Sequence, residues 1–370
     1  MITSVEQLID ITNATRPVFE GDAAAMTFND VSHELFNTVF EKADETSGTM
    51  MEWDVTLGDT GNAQLTGLYG EDKKNVKNMT KKGYAHWTHA TTNVTFDIRE
   101  PAMNSGSVEK LYDVLQNRIN NMYREFAELL QPTLLLTPQS AADELNPHGL
   151  AAWLPLGTAG QDGGFNAYQP VYNDGSYATQ YAPGTIACSP SANQRWAAYF
   201  ADHQGKLGDR LIHLLDSAIL STGFRVTRIP KAVDKDTSWG NLRFYTNKKV
   251  ILNLTKLARK GDDAIGPNFD KYLNAYTYMG APFMYVPELD SDNPKFVEGL
   301  HGSDPIYAVN WDWLKCKCLT GFKFKLQEAY KNTSLGHTVM TLPLDLTYCV
   351  FSPNRQRVGF KIAKHPGESN

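Results

Sequence analysis

The chain has 370 residues, a hydrophobic content of 42% and a formal net charge of −6. A chain of this length and composition can bury a large core, and its size alone suggests two or three lobes. The negative balance gives no basic field to hold DNA or RNA by its phosphates, and the absence of a leader or a long apolar run predicts neither secretion nor a membrane span.

The first hundred residues predict an arm followed by a long β-hairpin. Residues 27–43 have the spacing of an amphipathic helix, with Val31, Leu35, Phe36, Val39 and Phe40 on one side. From residue 51 to residue 98 the pattern alternates as in strands, but the middle, EDKKNVKNMTKKG, is too polar for a core. We therefore expect two strands joined by an extended loop with a lysine-rich tip.

A long helix is predicted over residues 107–130. Ser107 is a good N-cap residue, and Pro132 is expected to end the helix. The apolar residues recur with the helical period, which predicts one stripe facing a core. The core positions of this helix are Val108, Leu111, Leu115, Ile119, Met122 and Phe126.

The rest of the chain predicts a mixed α/β lobe and returning strands. The segment TLLLT at 133–137 is a short buried-strand candidate, and residues 155–193 form a long irregular loop rich in Gly, Pro, Asn and Ser. A helix is predicted over 207–221, with Gly223 as its stop. Further predictions are a strand at 242–246, a helix at 248–259, and strands at 283–286, 306–309, 315–326, 339–351 and 358–362.

Catalytic and cofactor motifs are absent from the sequence. It contains none of the patterns GxGxxG, GxxxxGK[ST], HExxH or GxSxG. The glycine-rich stretch at 157–165 has no following helix to hold a phosphate, so it is interpreted as a loop. His86 and His89 are three apart in a strand region, where such residues point to opposite faces. No enzyme activity, metal or cofactor is predicted.

Two further motifs have packing interpretations that compete with ligand binding. Cys316 and Cys318 would face one side of a strand, but a zinc site needs four ligands and no second pair is present. With Cys188 and Cys349 they fit free thiols in a reducing cytoplasm. Trp311-Asp312-Trp313 could form an aromatic platform for a carbohydrate, although packing and capping is the favoured interpretation.

The hairpin also supplies candidate contacts between subunits. Its apolar residues cannot all be buried by a thin arm, and its lysines could bind an acidic surface of a second copy or simply be solvated. The candidate contact residues are Trp53, Leu65, Leu68, Lys73, Lys74, Lys77, Lys81, Lys82, Tyr84 and Trp87.

The order of these features resembles the major capsid protein of tailed bacteriophages with the Hong Kong 97-type fold. The similarity lies in GYAHWTHATTNVTFDIREPAMNSG (83–106) leading into the long helix, then NNMYREFAELL, DELNPHGLAAWL, NQRWAAYF, DPIYAVNWDWL and HTVMTLPLDLTYCVFSPNRQRVGF. The resemblance covers nearly the whole chain. The resemblance rests on the order and spacing of these sequence segments and not on any one of them.

The resemblance implies an α+β fold with named parts. These are an N-terminal arm (1–50), an extended loop (51–98), a first P-domain part with the spine helix (99–144), an A-domain with the irregular loop (145–320), and a second P-domain part with the C-terminal tail (321–370). Only about 50 residues precede the extended loop, which favours a separate scaffolding protein over a cleaved scaffolding segment. A lysine–asparagine cross-link is not predicted, because no partner asparagine can be identified.

The resemblance also implies the function of a shell protein. The chain would assemble with itself into hexamers and pentamers of an icosahedral head that encloses double-stranded DNA, touching the DNA only non-specifically. Its partners would be a scaffolding protein, a portal and a decoration protein, with no membrane. Assembly would take place in the bacterial cytoplasm, and the product would be part of the virion. The alternatives are an encapsulin-like cargo shell, which shares the fold, and a hydrolase with the 155–193 loop as a lid.

Overall fold

A computed structural model describes most of the chain. The described residues are 33–58, 61–68, 71–76, 78–99, 108–140, 143–173, 176, 183–187, 189, 194–224, 241–260, 276–278, 281–331 and 338–366. Contacts divide the chain into two compact units. Unit one comprises Met1–Thr49, Trp87–Leu134 and Cys316–Cys349, and unit two comprises Met50–His86, Leu135–Lys315 and Val350–Asn370.

Unit one combines two helices with a mixed sheet. The helices are α1 (Glu34–Glu41) and α2 (Val108–Leu135). The strands are β1 (Asp44–Thr46), β4 (Thr88–Asp97), β11 (Lys315–Leu319), β12 (Lys325–Leu326), β13 (Tyr330–Lys331) and β14 (Val339–Phe351). The long strand β14 organises the sheet, since β4, β11, β12 and β13 all pair with it.

The predicted long helix is present as α2, but it continues beyond the predicted end at residue 130. Ile119, Met122 and Phe126 are buried, while the side chains of Val108, Leu111 and Leu115 lie outside the described part. The prediction that Pro132 ends the helix is wrong, because Pro132 lies inside it. An interior proline costs about 3 kcal/mol, whereas burying Leu134 and Leu135 contributes roughly 1.5–3 kcal/mol each. The predicted strand at 133–137 is wrong for the same reason.

Aromatic rings connect α1 to the rest of unit one. Phe40 of α1 lies 5.2 Å from Phe324 and 5.3 Å from Tyr348, measured between ring centroids. Phe126 of α2 contacts Phe324 edge-on at 6.1 Å. Such edge-to-face pairs add to the free energy of burial, so the amphipathic face predicted for the arm is a core face. Residues 27–32 of the predicted helix lie outside the described residues.

Unit two is built on a seven-stranded sheet covered by helices. The strands are β5 (Gly164–Ala167), β6 (Ala198–Asp202), β7 (Leu242–Thr246), β8 (Tyr276–Tyr278), β9 (Ala281–Tyr285), β10 (Ser303–Asn310) and β15 (Gly359–Lys364). They lie in the order β5-β6-β15-β10-β7-β9-β8. The helices are α3 (Leu150–Trp153), α4 (Asp209–Thr222), α5 (Lys248–Lys260), α6 (Glu298–His301) and α7 (Arg355–Val358).

The core of unit two lies between this sheet and the longer helices. Leu211, Leu214 and Leu215 of α4 pack against the sheet, where the rings of Phe244 and Phe283 stack at 4.5 Å. Helix α4 ends at Gly223, whose φ of 62° places it in the left-handed conformation that glycine adopts at low cost. The predicted helices and strand over 207–260 are therefore confirmed, with ends shifted by two residues at most.

The β-hairpin predicted over residues 51–98 is shorter in the structure. It pairs β2 (Met51–Thr56) with β3 (Thr80–Ala85), from Met51 opposite Ala85 to Thr56 opposite Thr80. Residues 88–97 instead form β4, which pairs with β14 in unit one. The predicted strand at 315–326 is also split, because a turn around Gly321 separates β11 from β12. The chain has the predicted α+β class.

Candidate subunit-contact surface

The hairpin is attached to unit two by Trp53. Its indole packs against Phe351 at 5.1 Å and covers Gly83 and Gly184. A Cβ atom at either glycine would come within 3 Å of the indole, and Gly184 also has a φ of +84°. The N–H of Tyr84 donates to the carbonyl of Gly184 at 3.0 Å. Trp53 and Tyr84 are therefore half-buried and fix the base of the hairpin.

The loop between β2 and β3 holds itself together with polar contacts. The Nδ2 of Asn62 donates to the carbonyl of Asn75 at 3.0 Å, and the N–H of Asn75 donates back to Asn62 Oδ1 at 2.9 Å. Further along, Gln64 Nε2 donates to the carbonyl of Glu71 at 2.6 Å. These contacts bring the two arms of the loop together without an apolar core.

Apolar side chains on this loop are left in water. Leu65 and Val76 are fully exposed, and Leu68 is 90% exposed. Val76 was not among the predicted contact residues, because it is a single apolar residue within a lysine-rich stretch. Three apolar side chains on one short polar loop form a surface that a second protein surface could cover. We call residues 61–68 and 71–76 the exposed loop.

The lysines of the predicted tip fall on two elements. Lys73 and Lys74 are exposed on the loop, and Lys81 and Lys82 are exposed on β3. Lys82 forms an ion pair with Glu52 on the opposite strand at 3.4 Å. Lys77 lies outside the described residues. The positive charge thus extends from the loop along one strand of the hairpin.

Trp87 does not share the exposure of the loop. It is buried in unit one, and its Nε1 donates to the carbonyl of Gly48 at 2.9 Å. The alternation that placed Trp87 on the hairpin continues through the boundary between β3 and β4, so the sequence does not show where the sheet changes. Trp87 is a core residue of this chain.

The glycine-rich stretch at 157–165 packs on β6. The N–H of Gly160 donates to Asp202 Oδ2 at 3.0 Å, and the N–H of Asp202 donates to the carbonyl of Gln161 at 2.8 Å. Any Cβ added at Gly157 would overlap the side chains of Asn166 and Phe200. A backbone donor already bound to a carboxylate does not serve a phosphate, so this segment has a structural role.

The remaining chemical candidates do not form a site. His86 and His89 are both exposed, and the side chains of His89 and Thr347 form a hydrogen bond of 2.9 Å. Trp311 is buried and its Nε1 donates to the hydroxyl of Tyr245 at 3.0 Å. The described part of the chain contains no group of three or more His, Cys, Asp or Glu side chains suited to a metal ion.

Cys316, Cys318 and Cys349 are buried free thiols, while Cys188 lies outside the described residues. Cys316 and Cys318 lie on the same side of β11, as their spacing predicted. A side-chain hydrogen bond with Cys318, together with burial, raises the pKa of Cys316. Burial raises the pKa of Cys349 to about 12. Both groups are held as neutral thiols, which are poor nucleophiles.

The buried charged residues of unit two were not predicted from the sequence. Arg355 is fully buried, and its guanidinium donates to the carbonyls of Trp153, Tyr168, Trp196 and Ala152 at 2.9–3.1 Å. Lys361 is also fully buried, and its Nζ donates to the carbonyl of Leu300 at 2.6 Å and lies 4.8 Å from the Tyr307 ring centre. Charged residue types are normally exposed, so no periodicity could have predicted these positions.

Comparison with known proteins shows similarity in structure only. No protein-family model matches the chain, and no curated protein matches it in sequence. A chain of the cyanophage A-1(L) capsid asymmetric unit matches with a TM-score of 0.58 and 13% identity, covering 90% of this chain and 93% of that one. This chain has a capsid-protein fold. The fold implied by the Hong Kong 97-type resemblance is therefore confirmed.

A second match is weaker. The capsid structure of the cyanophage P-SCSP1u contains a chain that matches with a TM-score of 0.48 and 10% identity, covering 89% of this chain and 86% of that one.

Within the described residues of this chain, no helix is both long enough and apolar enough to span a membrane.

Proposed function

We propose that this chain is the major capsid protein of a tailed double-stranded DNA bacteriophage. The observation that carries the proposal is the match to a chain of the cyanophage A-1(L) capsid, which extends over nine-tenths of both chains. The protein would act as a structural component of the virion and not as an enzyme.

The shell would be built from rings of this chain. Five or six copies related by rotation make heterologous contacts, in which two different patches meet. The exposed loop supplies one of those patches, because the described part of the chain leaves Leu65, Leu68 and Val76 exposed. The domain names of the capsid family remain a proposal. The hairpin β2–β3 with its loop corresponds to the extended loop, and α2 corresponds to the spine.

The charge of the chain supports a container for DNA. A net charge of −6 in each copy gives the shell no general attraction to a packaged polyanion, so contact with DNA would be non-specific. We propose a separate scaffolding protein, a portal and a decoration protein as partners, with assembly in the bacterial cytoplasm. No membrane is part of this scheme.

Sedimentation and electron microscopy test the proposal directly. Expressed with its scaffolding protein, the chain should form closed shells far larger than a 41.3 kDa subunit. A monomer or dimer under every assembly condition would refute the shell function. Shells that enclose an enzyme cargo and no DNA in the native source would favour the encapsulin-like alternative over the phage head.

A further inference from the structure

A cavity lies beside the Trp311-Asp312-Trp313 turn in unit two. Its volume is about 460 Å³, within the range of about 300–1,000 Å³ that is usual for small-molecule sites. Strand β2 and its end form one wall, and residues 353–356 form another. The side chains on which the following argument rests are those of Asp54, Arg195, Trp313, Asn354 and Gln356.

Trp313 differs from the other two residues of its turn. Trp311 is buried against Tyr245, and the carboxylate of Asp312 accepts a hydrogen bond from the side chain of Asn241. Trp313 is half-buried at the cavity and has no ring contact or side-chain hydrogen bond with any described residue. An indole in this position offers an apolar face and one N–H donor to a ligand.

Three polar side chains of the cavity, those of Asp54, Asn354 and Gln356, are planar groups. Among the described residues, none forms a hydrogen bond with the side chains of Asp54, Asn354 or Gln356. A carboxylate or a carboxamide presents two hydrogen-bonding atoms side by side. Two such atoms match two neighbouring hydroxyl groups, which is the arrangement found around a sugar ring.

The charges of the cavity balance each other. Asp54 contributes one negative charge and Arg195 one positive charge, while Asn354 and Gln356 are neutral. A phosphate or a nucleic acid would meet the carboxylate of Asp54 and a chain that is negative overall. A ligand with an apolar face, several hydroxyls and no net charge fits this set of groups best.

We propose that this cavity binds a neutral pyranose sugar. The C–H face of the ring lies against Trp313, and its hydroxyl groups form hydrogen bonds with Asp54, Asn354 and Gln356. The alternative ligands for a cavity of this size are a peptide segment and a nucleotide base, which are outcomes of the test. This proposal does not depend on the shell function, since a sugar site can exist on a protein of any role.

Saturation-transfer NMR on the purified full chain tests the proposal. The probes are the methyl pyranosides of glucose, galactose, mannose and N-acetylglucosamine, at concentrations up to about 10 mM, which detects a Kd near 1 mM. We expect saturable binding of at least one probe. Trp313→Ala and Gln356→Ala should each weaken it at least about tenfold, a loss of about 1.4 kcal/mol.

A matched variant controls for the loss of an aromatic surface residue. Tyr330 is 52% exposed and does not line the cavity, so Tyr330→Ala should bind the sugar as the unmodified chain does. Circular dichroism establishes that each variant is folded, and Gln356→Ala keeps the test open if Trp313→Ala does not fold. Absence of saturable binding by all four sugars overturns the proposal. Unchanged sugar binding by folded Gln356→Ala also overturns the proposal. So does a result in which only a peptide or an oligonucleotide, and no sugar, saturates the cavity.

Discussion

We expect the replacement of the fully buried Arg355 to lower the stability of unit two strongly. Its guanidinium holds the carbonyls of Ala152 and Trp153 at the end of α3, together with those of Tyr168 and Trp196. These four carbonyls come from three separate segments of the chain. Replacement by methionine keeps an unbranched side chain of similar length but removes every donor.

The expected loss of stability follows from the four carbonyl groups that the substitution leaves without a donor. A buried acceptor left without a partner costs about 1–3 kcal/mol, so four of them give a range of about 4–12 kcal/mol. Removing the guanidinium also recovers its own desolvation cost, which is several kcal/mol. We expect a net destabilisation of about 4 kcal/mol, which corresponds to a fall in Tm of roughly 10 °C in a unit of more than 200 residues.

Thermal and urea unfolding of the subunit, followed by circular dichroism, measure this change. Arg355→Lys should be intermediate, because an ammonium group has three donors and no planar fork. Arg357 supplies the matched control two residues away. It is exposed and makes one long hydrogen bond of 3.4 Å to the carbonyl of Thr222, so Arg357→Met should change Tm little. An Arg355→Met variant as stable as Arg357→Met would refute the reasoning.

Three other predictions concern the core, the loop and the pH dependence. Met122→Asp places a carboxylate at a 2% exposed position of α2, so insoluble subunits are expected in expression trials, and soluble, assembling protein would contradict this. Changing Lys73, Lys74, Lys77, Lys81 and Lys82 to Ser should leave circular dichroism unchanged but reduce shell yield, with smaller differences at high salt, and equal yield across a salt series would mean that these lysines are only solvated. Burial beside Lys361 lowers the pKa of His301 from 6.5 to about 3, so the unfolded state takes up the proton first as the pH falls. Stability should therefore fall between pH 6.5 and pH 4 by roughly 3 kcal/mol, and unfolding of His301→Phe should depend less steeply on pH over that window.

The elements that the sequence predicted well are those with one buried face. Helix α4 shows its core stripe at Leu211, Leu214 and Leu215 and its stop at Gly223, because periodicity and the left-handed cap are both local properties. Strand β6 was missed because all five of its residues are buried, which removes the alternation that marks a strand. Helix α2 continues through Pro132 because the burial of Leu134 and Leu135 in the folded chain outweighs the local penalty of the proline. Such long-range terms are not visible in a window of sequence.

The residues of the candidate contact surface were also predicted only in part. The polarity of residues 71–83 predicted an exposed tip, and Lys73, Lys74, Lys81 and Lys82 are exposed there. Leu65 and Leu68, which precede this stretch on the same loop, are exposed as well. The sequence could not separate these residues from Trp53 and Trp87, since all of them fit one alternating pattern. Trp53 is held by Gly83, Gly184 and Phe351, which lie far apart along the chain. The partners of a residue, and not its type, decide whether it remains available to another subunit.

The structure also changes the ranking of the proposed contacts. An exposed ion pair contributes about 0–1 kcal/mol and weakens in salt, whereas burying a leucine or valine side chain contributes roughly 1.5–3 kcal/mol. If a neighbouring copy covers the exposed loop, Leu65, Leu68 and Val76 together supply most of its binding free energy, and the lysines mainly orient the approach. Changing these three residues to Ser should then reduce shell yield more than the five lysine changes do, with little dependence on salt. A greater loss from the lysine variant would show that charge, and not apolar burial, holds this loop to its neighbour.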